Sequence, residues 1–264
     1  MKLKLIFAAG LIASTSALSQ ATIITFDGNS DKGTFEKGMG TNVGTDVRGD
    51  DIIFNDFSVR GGISNESLNL AIPSFNINQI HLDRTDAYQD ITPSNGGLGA
   101  YSTNANGGNA SSTCDTDTDN LEQNLYSCSS GDEILFFDFN SEVFFDKAWF
   151  NGDHTEQLAT NQKYQTHFNV FYSEDGSSYN SVFNTGPSGT IQSEATNQSG
   201  DSWLTWALND SYKYFAIAVT GWNNAPGGYV EAINYVTVPE PATFGLLALG
   251  LAGLGAARRR KYIG

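Results

Sequence analysis

The 264-residue chain lacks the signatures by which common enzyme classes can be read. No Gly-x-Ser-x-Gly elbow occurs, so no ordinary serine-hydrolase nucleophile is signalled. No HExxH occurs either, since His154-Thr155-Glu156-Gln157 departs from it at the second position. Basic residues are scarce, 14 Lys and Arg against 29 Asp and Glu. That balance argues against nucleic acid and anionic lipid as partners. No long stretch between the two ends shows a helical period, and no segment repeats. Cysteine is limited to Cys114 and Cys128.

What is present begins with the ends. Lys2 and Lys4 precede an apolar run over residues 5–17, and Ser19-Gln20-Ala21 offers small residues for cleavage. This predicts a signal peptide over residues 1–21, removed by signal peptidase, with Thr15-Ser16-Ala17 as a competing site. Residues 238–264 hold three pieces in a row. Pro239-Glu240-Pro241 cannot be helix interior, because each proline ring fixes φ and removes a donor. Residues 242–257 are uncharged and rich in Leu, Ala and Gly. Arg258, Arg259, Arg260 and Lys261 then form a basic stop-transfer cluster.

This ending resembles the PEP-CTERM sorting signal of Gram-negative bacteria. The resemblance implies a transmembrane sorting helix, a transient inner-membrane intermediate, and cleavage by the protease exosortase. It further implies release to the cell surface or the exopolysaccharide matrix. The plainer reading is a permanent anchor, but the apolar segment is shorter than the roughly 20 residues that span a bilayer.

Residues 22–237 remain as one body. Stripped of its ends it keeps eight basic and 28 acidic residues, a charge of about −20. It reads as all-β. Apolar runs at 23–26, 52–59, 134–139, 143–150, 168–172, 179–183, 203–208, 214–220 and 229–236 are strand candidates. Ser173-Glu174-Asp175-Gly176-Ser177 predicts a hairpin turn. In the run 214–220, Phe215, Ile217 and Val219 alternate with Tyr214, Ala216 and Ala218, which predicts a half-buried strand. Residues 92–113 are rich in Gly, Asn, Ser and Thr and predict a long surface loop. The pattern predicts a single jelly-roll-like β-sandwich. The hairpin and the strand Tyr214-Phe215-Ala216-Ile217-Ala218-Val219 are similar to those of galactose-binding-type jelly rolls.

Candidate sites follow from residue chemistry. Cys114 and Cys128 are expected to form a disulfide in an exported chain, with free thiols the alternative. Between them, Asp115, Asp117 and Asp119 alternate, so their carboxylates share one side of an extended segment and could hold Ca²⁺. The alternative is a solvated acidic loop. An EF-hand is not formed, because Asn120 and Tyr126 stand where that loop needs Gly and Glu. Trp222, with Asn223 and Asn224, offers an aromatic face and amides in a glycine-rich loop, the chemistry that suits a sugar. The alternative is that Trp222 lids the sandwich. Trp203 and Trp206 are three apart, so on one strand they point to opposite faces. Function is expected to be that of an exported, non-catalytic surface or matrix protein that binds polysaccharide or Ca²⁺. The alternatives are a secreted enzyme acting on polysaccharide and a purely structural matrix component.

Overall fold

The computed structural model describes residues 20–64, 73–82, 85–93, 96–102, 133–152, 168–182, 202–219 and 228–238. All its strands belong to one compact unit, Ala21–Thr237. The body opens with β1 (Ala21–Thr25), β2 (Thr34–Phe35), β3 (Met39–Val43), β4 (Asp46–Ile53) and β5 (Phe57–Ser64). Then come β6 (Ser74–Asn76), β7 (Ile80–His81), β8 (Thr85–Asp90) and β9 (Gly97–Ser102). It ends with β10 (Glu133–Gly152), β11 (Phe168–Ser173), β12 (Ser178–Ser181), β13 (Ser202–Thr205), β14 (Tyr212–Val219) and β15 (Gly228–Thr237). The one helical element among the described residues is a 3-10 turn, Ile77–Gln79. The all-β expectation therefore holds.

The long strand β10 organises the sheet. Residues 133–139 pair with β5 on one edge and, through Ile134 to Asp138, with β14 on the other. Residues 143–152 pair with β15, and Lys147 to Phe150 pair with β13. Val143 faces both β14 and β15, which places β5 and β15 on the same edge of β10. The order β15-β9-β8-β4-β5-β10 thus returns to β15 and closes a ring. A strand that serves two walls is how a sandwich turns its corner. The sequence predicts two strands here, 134–139 and 143–150. They are one, because the polar Asn140-Ser141-Glu142 stays extended and exposed while the ladder to β14 slips.

The alternation along β10 builds two cores. Leu135, Phe137, Phe139, Val143 and Phe145 face the inside of the ring. Phe57 sits among them, its ring 4.9 Å from Phe54 and 5.1 Å from Phe139. Ile134 and Phe136 face the other way, against Phe75, Phe171 and Tyr179. Phe75 stacks on Tyr179 with centroids 5.0 Å apart and planes 2° from parallel. This second cluster corrects the half-buried reading of β14. Phe215 and Ile217 line the inner core, but Ala216 and Ala218 are buried too, on the outer side. Gly61 and Gly62 make room for the covering elements. A Cβ on Gly61 would lie 2.5 Å from the Asp86 carbonyl oxygen, and one on Gly62 2.7 Å from the Ile80 side chain.

Two further expectations are corrected and one is met. The run 52–59 is two strands, β4 and β5, because Asn55 and Asp56 turn the chain between them. The loop expected at 92–113 is not continuous loop, since β9 occupies 97–102 and pairs with β8. Its short Gly-Leu-Gly-Ala-Tyr-Ser sequence carries little strand propensity and is held by pairing with β8 and by the burial of Leu98 and Ala100 in the core. The hairpin at Ser173 forms as expected. Asp175 Oδ1 accepts from the N–H groups of Ser177 at 2.8 Å and Ser178 at 3.0 Å, and from Ser173 Oγ at 3.1 Å. Gly176 takes the left-handed conformation at φ 72.

Candidate functional site

The first candidate arises from a bulge. Phe145 lies opposite Tyr235, but Lys147 lies opposite Asn234, so Asp146 is an extra residue in β10. Its carboxylate accepts from Asn234 Nδ2 at 2.7 Å, and its carbonyl accepts from the backbone N–H of Trp206 at 3.0 Å. Burial pushes the Asp146 carboxyl above its usual range, against the pull of the Asn234 hydrogen bond and the Lys147 charge. The extra residue resets the strand's phase. Phe145 and Ala148 both point inward although three apart, and Phe150 follows them. Lys147 and Trp149 consequently point outward and are partly exposed. Trp149 lies directly opposite Trp203 of β13. The Lys147 ammonium sits 4.2 Å from the Trp149 ring centre and 5.2 Å from that of Trp203. Trp206, in contrast, is buried edge-on to Phe145 at 4.8 Å. The two tryptophans three apart do take opposite faces, as expected. What results is a pair of indoles and a three-donor ammonium, all partly exposed, on the outer side of the sheet.

The second candidate lies on the outer face where β4, β5, β10 and β14 run side by side. Ile53, Ser58, Asp138 and Tyr214 are successive register partners across these four strands. Asp51, Arg60 and Phe136 form the next row. Arg60 Nε lies 3.0 Å from Asp51 Oδ1, and Lys213 Nζ 3.3 Å from Asp138 Oδ1. Two depressions, of about 120 and 540 Å³, share Asp51, Ser58 and Arg60. Met39 and Ile53, cross-strand partners and both exposed, line the larger one.

The third candidate is acidic. Asp27, Asp31 and Glu231 hold carboxylate oxygens within 4.8 Å of one another, with Asp27 and Glu231 buried. The segment after β1 is fixed here by the Phe26 N–H, which donates to the Glu231 carbonyl at 2.8 Å. Buried Gln89 adds bonds to the Phe26 and Glu36 carbonyls, at 3.0 and 2.8 Å. Lys32 Nζ lies 3.0 Å from Asp31 and 3.5 Å from Glu231. This cluster is not among the sites expected from sequence. Its parts lie at opposite ends of the body, and only the β1–β15 pairing joins them. An ionisable residue inside the apolar run 229–236 was the available signal.

The sites expected from sequence fall elsewhere. Cys114, Cys128, Asp115, Asp117 and Asp119 lie outside the described residues, as do Trp222, Asn223, Asn224 and the signal-peptide segment. So do Pro239, Glu240, Pro241 and the basic residues 258–261. Among the described residues no helix is long and apolar enough to cross a membrane.

Comparison with known proteins addresses the tail. Residues 237–261 match the PEP-CTERM protein-sorting motif. The chain therefore carries the sorting signal of an exosortase substrate, exported through a membrane-anchored intermediate to the cell surface. The match spans about a tenth of the chain and leaves the body to be read from its own geometry. No curated protein and no solved structure matches the chain, so the likeness to galactose-binding-type jelly rolls gains no support.

Proposed function

We propose that the body is a non-catalytic module that binds polysaccharide at the cell surface to which the tail directs it. One observation carries the binding half: the outward Trp149–Trp203 pair with Lys147 beside it. Indole faces suit the C–H faces of sugar rings, while an ammonium donates to hydroxyl and ring oxygens. Trp149 occupies that face only because Asp146 shifts the strand's phase. The body's charge of about −20 disfavours an acidic polymer, so the ligand is a neutral one.

Affinity electrophoresis of the protein recovered from the cell surface, in gels cast with the producing cell's exopolysaccharide, tests this. Wild type should be retarded. Trp149→Ala with Trp203→Ala should weaken retention at least about tenfold, or 1.4 kcal/mol, with the melting temperature little changed. Release of reducing ends by wild type would make the body an enzyme instead. Neither retention nor release would leave a purely structural role.

A second reading is favoured by the carboxylate cluster. Asp27, Asp31 and Glu231 present hard oxygen donors of the kind Ca²⁺ takes. Bound there, the ion would supply positive charge to two buried carboxylates and leave Lys32 to turn outward. Asp115, Asp117 and Asp119 are the competing ligands for the same ion.

A further inference from the structure

We infer that the body holds polysaccharide on two separate faces and so cross-links polymer chains. This rests on the polysaccharide reading above and extends it to a second site, the groove centred on Arg60.

The two halves of β10 carry the argument. Before the polar break at Asn140-Ser141-Glu142, its outward residues Phe136 and Asp138 belong to the wall formed with β5 and β14. After the break, Lys147 and Trp149 belong to the wall formed with β13 and β15. One strand thus places two outward surfaces on two different walls of the ring.

The chemistry of the first wall complements a sugar without repeating the tryptophan motif. Arg60 brings a planar fork of donors, Asp51 and Asp138 bring acceptors, and the Ser58 hydroxyl brings both. Exposed Met39 and Ile53 give the larger depression an apolar lip. The rows run across β4, β5, β10 and β14, three strand spacings or roughly 14 Å. That is a track for a polymer segment rather than a pit for one small molecule. Arg60 is neutralised by Asp51, and Lys213 by Asp138, so the groove offers no net positive charge to an acidic polymer. A neutral polysaccharide is the class that fits both faces.

Two faces on one body make a cross-linker, because each can engage a different chain. The test uses beads coated with the producing cell's neutral exopolysaccharide, alginate-coated beads as the acidic comparison, and protein recovered from the cell surface. Wild type should clump the neutral beads and leave the alginate beads dispersed. Arg60→Ala with Asp138→Ala should still be retained on the polysaccharide through the tryptophan face but should no longer clump beads. Ser58→Trp, which fills the groove without removing a charge, should do the same. Trp149→Ala with Trp203→Ala should also abolish clumping while keeping residual retention through the groove. If wild type is retained and the groove variants clump beads as well as it does, the second face is refuted and the binding reading stands. Retention without clumping by wild type refutes cross-linking equally. If wild type is not retained at all, the binding reading itself falls.

Discussion

Asp175 and Asp146 are both carboxylates in β-structure, and their surroundings push them in opposite directions. Asp175 collects the N–H groups of Ser178 and Ser177, which hold its carboxyl below the usual range. A depressed value means that its charged form stabilises the fold above the ordinary carboxylate pKa. That contribution is lost as pH falls through the lower folded value. Asp146 is raised by burial, so its effect has the other sign. It favours the fold most below the ordinary pKa, and that advantage is lost as pH rises through its raised folded value. Asp175→Ala should therefore lower the melting temperature at pH 7. Asp146→Asn should raise it, since asparagine keeps an acceptor for Asn234 without the charge. In strong acid, where the wild-type carboxyls are protonated, the Asp146→Asn difference should vanish and the Asp175→Ala difference should shrink to the loss of neutral hydrogen bonds. Melting curves from pH 2 to 7 check both signs, and a pH-independent difference for either variant would overturn its account.

At the scale of the strand, the phase of β10 is the quantity to test. Deleting Asp146 removes the bulge, and plain alternation from Phe145 then keeps Lys147 and Trp149 outward and Ala148 and Phe150 inward. The variant should keep the fluorescence of a partly exposed Trp149 and lose the Asn234 and Trp206 hydrogen bonds to Asp146, a cost of about 1–3 kcal/mol. A deletion variant in which Trp149 becomes buried would overturn the assignment of Asp146 as the extra residue. The same strand shows what the sequence makes legible. Asp175-Gly176 predicts its hairpin because an Asx turn needs only local chemistry. Phe215 and Ile217 predict an inner face by their alternation. The burial of Ala216 and Ala218 is not legible, since it depends on Phe75 and Tyr179 arriving from distant strands. The outward position of Trp149 is not legible either. It depends on one bulged residue, which pairs across to Asn234, 88 residues away.

At the scale of the whole molecule, the ends of the body meet. Ala21 pairs with Val236, and Thr25 with Ala232, so the first strand is zipped to the last. The acidic cluster sits at that seam. With Ca²⁺ at a hundredfold excess over Kd, melting should shift by the equivalent of roughly 2.7 kcal/mol, and EDTA should reverse it. Asp31→Asn should reduce the shift. An undiminished shift would assign the ion to Asp115, Asp117 and Asp119, and identical curves with and without Ca²⁺ would remove the ion altogether. The seam also sets a timetable. β1 is the first strand in the chain, and apart from the two-residue β2 its partner is the last. β10 cannot complete its second wall until β15 follows it. The sheet therefore closes only once the chain is complete to residue 237. A chain truncated anywhere before β15 cannot close the ring of strands.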